Sequence, residues 1–122
     1  MKPVVLVIED NEQNMYLMRF LLEKNGFTVL EATDGISGLE IAKKEKPKLI
    51  LLDIQLPRMD GYTVARELRK NSDLNNTPIV AVTSYAMAGD RELSIASGAD
   101  GYIEKPIDPE TFIEQITKYL NE

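Results

Sequence analysis

The sequence predicts an α/β domain in which five parallel strands form one sheet covered by helices on both faces. Short apolar runs alternate five times with longer stretches of helical periodicity, the pattern of repeated strand–helix units. The apolar runs are continuous rather than alternating, as expected of strands buried on both sides. Unusual polar residues fall at the C-terminal ends of those runs. With 122 residues the chain fits a single domain, residues 1–122. It is long enough to bury a core without a disulfide or structural metal.

Val4–Ile8 is the first apolar run and reads as a buried strand. Asn14–Lys24 carries Met15, Met18, Leu21 and Leu22 at helical spacing, and Asn25-Gly26 supplies a stop. Thr28–Ala32 reads as the second strand. Ile36–Glu45 reads as the second helix, starting after Asp34-Gly35 and ending before Pro47. Leu49–Leu52 is a third buried strand that ends in Asp53. Tyr62–Lys70 is a third helix, with Val64, Ala65 and Leu68 on one side. The polar stretch Asn71–Thr77 reads as a surface turn, and Ile79–Val82 as the fourth strand. Ala86–Ser97 is a fourth, less hydrophobic helix closed by Gly98, and Gly101–Ile103 begins a short fifth strand. Glu110–Leu120 is a fifth helix with the stripe Phe112, Ile113, Ile116 and Leu120, capped by Asp108 with Pro109 in its first turn. It runs to the C-terminus, so no second domain is expected.

Composition removes several classes of function. A formal net charge of −6 argues against nucleic acid and against an anionic membrane surface, both of which attract clustered Lys and Arg. No run approaches the roughly 18 apolar residues of a membrane span. Val4–Ile8 is too short for a secretory leader and is followed at once by Glu9 and Asp10. Cysteine is absent, so nothing points to an oxidising compartment, and a cytoplasmic location is expected. Histidine is also absent, which excludes Ser–His and Cys–His catalysis and histidine-ligated zinc. Carboxylate, hydroxyl and lysine chemistry remain.

Those groups collect in one place. Glu9 and Asp10 end strand one, Asp53 ends strand three, Thr83 and Ser84 end strand four, and Lys105 follows strand five. In a parallel sheet all these ends share one edge, where open α/β sheets bind ligands. If strands one and three are neighbours, Asp10 and Asp53 meet there. Two like charges about 4 Å apart repel by roughly 4 kcal/mol at an effective dielectric near 20, so three carboxylates facing one lysine call for a cation. Mg²⁺ suits one or two carboxylates with waters and a phosphate oxygen. A metal beside a carboxylate, a hydroxyl and a lysine has the parts of a phosphoryl-transfer site. Each residue also has a plainer reading. Asp53 alone is a strand-end turn residue, Glu9-Asp10 a solvated helix start, Thr83 a β-branched strand residue, Tyr102 core, and Lys105 a solvated loop lysine.

The segments V-L-V-I-E-D-N ending at Asn11, L-I-L-L-D-I-Q-L-P-R-M-D-G (49–61), A-V-T-S (81–84) and Y-I-E-K-P (102–106) resemble the signature segments of response-regulator receiver domains. They do so in order and spacing over nearly the whole chain. The L-P-R-M-D-G and T-S-Y-A-M-A-G-D stretches resemble a single-domain branch of that family. The resemblance implies a flavodoxin-like (βα)₅ fold with strand order 2-1-3-4-5. It implies that Asp53 is the phosphoacceptor, and that Glu9, Asp10, Asp53 and the backbone carbonyl of Gln55 serve Mg²⁺, or alternatively Mn²⁺. Lys105 matches the lysine that pairs with the phosphoryl group, Thr83 the hydroxyl that moves toward it, and Tyr102 the aromatic that follows. The Lys105–Pro106 bond is implied to be cis. Gln55, Ser84 and Tyr85 occupy positions that tune dephosphorylation. Ser84 departs from the Ala or Gly usual there, and a bulky Tyr85 offers a shield for the acyl phosphate.

The implied function is that of a signalling phosphoacceptor, not an enzyme acting on other molecules. A histidine kinase or histidine phosphotransfer protein is the donor and docks through the first helix. A downstream target protein meets the face made by the fourth helix, fifth strand and fifth helix. The expected state is a monomer or a weak, phosphorylation-dependent dimer. A receiver domain cut from a hybrid sensor histidine kinase would carry the same residues. A flavodoxin-like cofactor binder would need a Ser/Thr/Gly-rich phosphate loop where Glu9-Asp10 stand. A metal-dependent phosphohydrolase would need a lid or substrate pocket for which the chain has little room. No nucleotide-binding G-x-x-x-x-G-K-[ST] loop is present.

Overall fold

The computed structural model describes residues 2–56, 59–84 and 95–120. Its elements are β1 (Val4–Ile8), α1 (Glu12–Lys24), β2 (Thr28–Ala32), α2 (Gly35–Glu45), β3 (Leu49–Asp53), α3 (Gly61–Arg69), β4 (Ile79–Thr83), β5 (Gly101–Glu104) and a C-terminal helix (Phe112–Leu120). All neighbouring strands are parallel, in the order β2-β1-β3-β4-β5. This is the flavodoxin-like receiver fold and the strand order that the resemblance implied.

The period of two along each strand sorts the core into two layers. Leu6 and Ile8 of β1, Ile50 and Leu52 of β3, and Ile79 and Ala81 of β4 pack with Val64, Ala65 and Leu68 of α3. Val5 and Val7, Leu49 and Leu51, and Val80 and Val82 face the other way. They pack with Met15, Met18 and Leu22 of α1 and Phe112 and Ile116 of the C-terminal helix. Both faces are dry, which is why the strands read as unbroken apolar runs.

The helix starts are set by polar caps. Asn11, Asp34 and Asp60 each accept a hydrogen bond from the backbone N–H three residues on, at 2.9, 2.8 and 3.0 Å. The apolar stripe of the first helix begins at Met15, so sequence periodicity placed the start later than the cap does. At the C-terminus the difference runs the other way. The Asp108 carbonyl accepts from Thr111 N and Phe112 N, and its carboxylate from Glu110 N, so a turn precedes the regular helix at Phe112.

Two glycines set close approaches to the site. A Cβ on Gly38 would lie 2.5 Å from Ile8 Cδ1, so α2 sits directly on β1. A Cβ on Gly61 would lie 2.5 Å from Ile54 Cα and 2.7 Å from Asp53 O, so α3 begins against the backbone at the end of β3.

Residues 71–77 are more than a surface turn, which corrects the sequence reading. Ser72–Leu74 form a short 3-10 helix, and Leu74 is fully buried. Arg69 holds this loop from the end of α3. Its guanidinium donates to Leu74 O at 2.8 Å, Thr77 O at 3.0 Å and Gly98 O at 2.9 Å, and pairs with Asp100 at 2.5 Å. Most of the helix predicted over 86–97 lies outside the described residues, as does Tyr85. Ile95 and Ala96 are helical, and Gly98, with φ of +117°, turns the chain toward β5. Among the described residues no helix is long and apolar enough to cross a membrane.

Candidate functional site

The C-terminal ends of β1, β3, β4 and β5 deliver their polar residues to one edge of the sheet. Glu9 N donates to Ala32 O at 2.9 Å, which extends the β1–β2 ladder one residue past the strand. Glu9 thereby continues the inward series Val5, Val7 and is buried, while Asp10 turns out to solvent. Asp53 ends β3 in the same parity as Leu49 and Leu51 and is almost fully buried. Lys105 N donates to Thr83 O at 2.8 Å, carrying the β4–β5 ladder to the lysine. Its side chain reaches inward, placing Nζ 2.9 Å from Glu9 Oε1 and 3.4 Å from Asp53 Oδ1. The Lys105–Pro106 bond is cis.

The electrostatics are those of an acid-rich pocket with too little positive charge. Burial pushes the Glu9 carboxyl up to about 7. A hydrogen bond with Asp53 and that neighbour's negative charge push the same way, against Lys105 and the Asn11 amide. The Asn11 N–H donates to Glu9 Oε2 at 3.1 Å. Glu9 Oε1 is buried and has no hydrogen-bond partner. It forms a 2.9 Å ion pair with the Lys105 ammonium. One carboxylate oxygen from each of Glu9, Asp10 and Asp53 lies within 4.8 Å of the others. Three convergent carboxylates facing one lysine make an all-oxygen, acidic donor set that fits a hard divalent cation.

The remaining residues stand around this cluster. Gln55 N donates to Asp53 Oδ1 at 2.9 Å. The Gln55 side-chain oxygen accepts from Ser84 Oγ at 2.7 Å and Ser84 N at 3.3 Å. Thr83 is buried at the end of β4, and Tyr102 is half-buried on β5 opposite Ala81. A cleft of about 230 Å³ leads from Glu9 and Asp10 past Met15 and Tyr16 to the Arg19–Glu31 ion pair. Sequence reasoning passed over the Asn11 amide, the Arg19–Glu31 pair and the Gln55–Ser84 bridge. Only Asn11 carried a signal, as a cap residue directly after an acidic pair.

The sequence profile of the response regulator receiver domain matches residues 5–117. The chain belongs to this family. Within it the chain is DivK-like: it is 42% identical over 118 residues to the polar-differentiation response regulator DivK of Brucella anthropi, covering 97% of this chain and 96% of that protein. Among solved structures, the receiver domain of the sensor histidine kinase PA1611 from Pseudomonas aeruginosa is similar over the whole of both chains. Its TM-score is 0.92 at 30% identity, and that domain has a magnesium ion coordinated in its active-site cleft. The BeF3-activated receiver domain of RstA from Klebsiella pneumoniae gives a TM-score of 0.89 at 32% identity, covering 98% of this chain and 99% of that one. Receiver domains as a class bind Mg²⁺ at an acidic pocket and interact with histidine kinases and downstream targets.

Proposed function

We propose that this receiver domain accepts a phosphoryl group on Asp53 from a phosphohistidine on a histidine kinase or phosphotransfer protein. The observation that carries the reading is the convergence of buried Glu9 and Asp53 and exposed Asp10 with Lys105 Nζ in one cluster. Asp53 Oδ1 is held by the Gln55 N–H and approached by Lys105, and a carboxylate oxygen of Asp53 attacks. The Asp53 O–P bond forms as the P–N bond of the donor breaks. The partner's imidazole leaves with the electron pair and takes a proton from solvent. Lys105 stands ready to pair with an equatorial phosphoryl oxygen. Glu9, Asp10, Asp53 and the Gln55 carbonyl would hold Mg²⁺, or Mn²⁺ in its place, which when bound neutralises charge developing on the phosphoryl oxygens.

The output follows from differential contacts. Phosphate shifts the population between two states only through contacts that differ between them. The Thr83 hydroxyl, at the end of β4, is the group that moves toward the new dianion. Tyr102 follows on the neighbouring strand and changes the face presented by β5 and the C-terminal helix to a target protein. The donor docks along α1, where Tyr16 and Phe20 are exposed and stacked with ring centroids 6.3 Å apart, beside the cleft that opens on the acids.

The test is intact-mass measurement after incubation with a small phosphodonor and Mg²⁺. Wild type is expected to gain one phosphoryl mass and Asp53→Ala none. Equal labelling of both would overturn the assignment.

A further inference from the structure

We propose that the edge of the sheet opposite the acidic cluster is a docking surface for a short acidic segment of a partner protein. Charge is segregated along the strands. Glu9, Asp10 and Asp53 stand at the C-terminal ends of β1 and β3. At the N-terminal ends, Lys2 precedes β1, Lys24 ends α1, Lys43 and Lys44 lie in the last turn of α2, and Lys46 and Lys48 lead into β3. All six lysines are exposed. Lys48 N donates to Val4 O at 2.8 Å, which sets the loop between α2 and β3 beside the start of β1. Pro47 is buried, with exposed Lys46 and Lys48 on either side of it.

Part of this array has a plainer cause. Cations in a last turn complement the negative end of a helix, which accounts for Lys24, Lys43 and Lys44. Lys2 and Lys48 belong to no helix. Lys46 closes α2 in the left-handed region, with φ of +46°. Glycine takes that conformation freely, whereas a side chain there is strained. Among the described residues Lys2, Lys44 and Lys48 make no ion pair. The Lys46–Asp73 contact, at 3.5 Å between exposed side chains, is too solvated to offset the strain. A lysine held where glycine fits better, and little used by the fold, is placed for something outside the chain.

The chemistry of the patch selects the occupant. Its cations are all lysines, compact point charges, whereas the planar fork of arginine is the better match to phosphates. Carboxylates therefore suit it better than nucleic acid or lipid headgroups, and a net charge of −6 repels an extended polyanion. A short segment escapes that repulsion. The five-residue strands put the acidic edge about 17 Å away, beyond the screening length of about 8 Å at physiological ionic strength. Docking there leaves the Asp53 edge uncovered, and it does not depend on Asp53 being the phosphoacceptor.

The experiment is fluorescence anisotropy of a labelled oligoglutamate peptide titrated with the full chain. Wild type is expected to bind it, more weakly as salt rises. Lys44→Glu/Lys48→Glu is expected to bind about tenfold more weakly, since two attractions become repulsions. Arg66→Glu/Lys118→Glu changes the net charge equally at exposed positions outside the patch, and is expected to stay within about twofold of wild type. Lys46→Gly is expected to lose about twofold in binding while its urea midpoint rises, because the strain goes with the side chain. The other arms are duplex DNA and vesicles of phosphatidylserine with phosphatidylcholine. Binding of either one, lost in Lys44→Glu/Lys48→Glu and unaccompanied by binding of the peptide, would overturn the choice of partner. A peptide that wild type does not bind, two double variants weakened alike, or a Lys46→Gly no more stable than wild type would each overturn the docking surface.

Discussion

Glu9 shows how much one buried carboxyl decides. Its pKa in the fold is about 7, above the ordinary 4.5, so the protonated form is the one the fold favours. That stabilisation is fully present below about pH 4.5 and is lost as pH rises through about 7. In chelator, wild type is therefore expected to lose on the order of 3 kcal/mol relative to Glu9→Gln between pH 4.5 and pH 8, measured by urea unfolding. Metal binding demands the deprotonated carboxyl, so Mg²⁺ affinity is expected to fall as pH drops below about 7. A flat Mg²⁺ titration between pH 6 and pH 8 would contradict that. The residues of the site were legible because acids and a lysine are out of place at the ends of apolar runs. Their division of labour was not. Which of Glu9 and Asp10 is buried depends on a ladder bond formed beyond the strand, and the partner of the Gln55 side chain depends on a loop conformation.

At the level of elements, helices are anchored by what they cannot carry. A side chain on Gly61 would meet the backbone at Asp53 and Ile54 rather than a flexible side chain, so α3 must move to admit it. Gly61→Ala is expected to destabilise by about 1–3 kcal/mol and to weaken Mg²⁺ binding together with it, because the displaced backbone bears Asp53. Loss of stability with metal affinity intact would separate the two. Strand positions were readable because burial on both faces leaves an unmistakable apolar run. Helix starts were less so: periodicity marks the first core contact, at Met15, whereas the cap at Asn11 marks the start. The buried Leu74 was missed for a related reason, since one apolar residue within a polar stretch has no period to betray it.

Across the whole molecule, Arg69 joins elements that sequence leaves far apart. One guanidinium serves carbonyls at Leu74, Thr77 and Gly98 and the carboxylate of Asp100, whose Oδ2 also accepts from Ile79 N at 2.9 Å. The end of α3, the start of β4 and the turn into β5 are tied at one point. Arg69→Ala is expected to cost about 3 kcal/mol by urea unfolding, the range for charge-assisted bonds to a partly buried group. An unchanged midpoint would show that the three segments hold without it. The sheet order has a consequence of its own. The acidic cluster draws Glu9 from the end of the first strand in sequence and Lys105 from the end of the fifth, so the contact between them cannot form until the outermost strand has been laid against the sheet, and the pocket is a product of the whole fold rather than of any one unit of it.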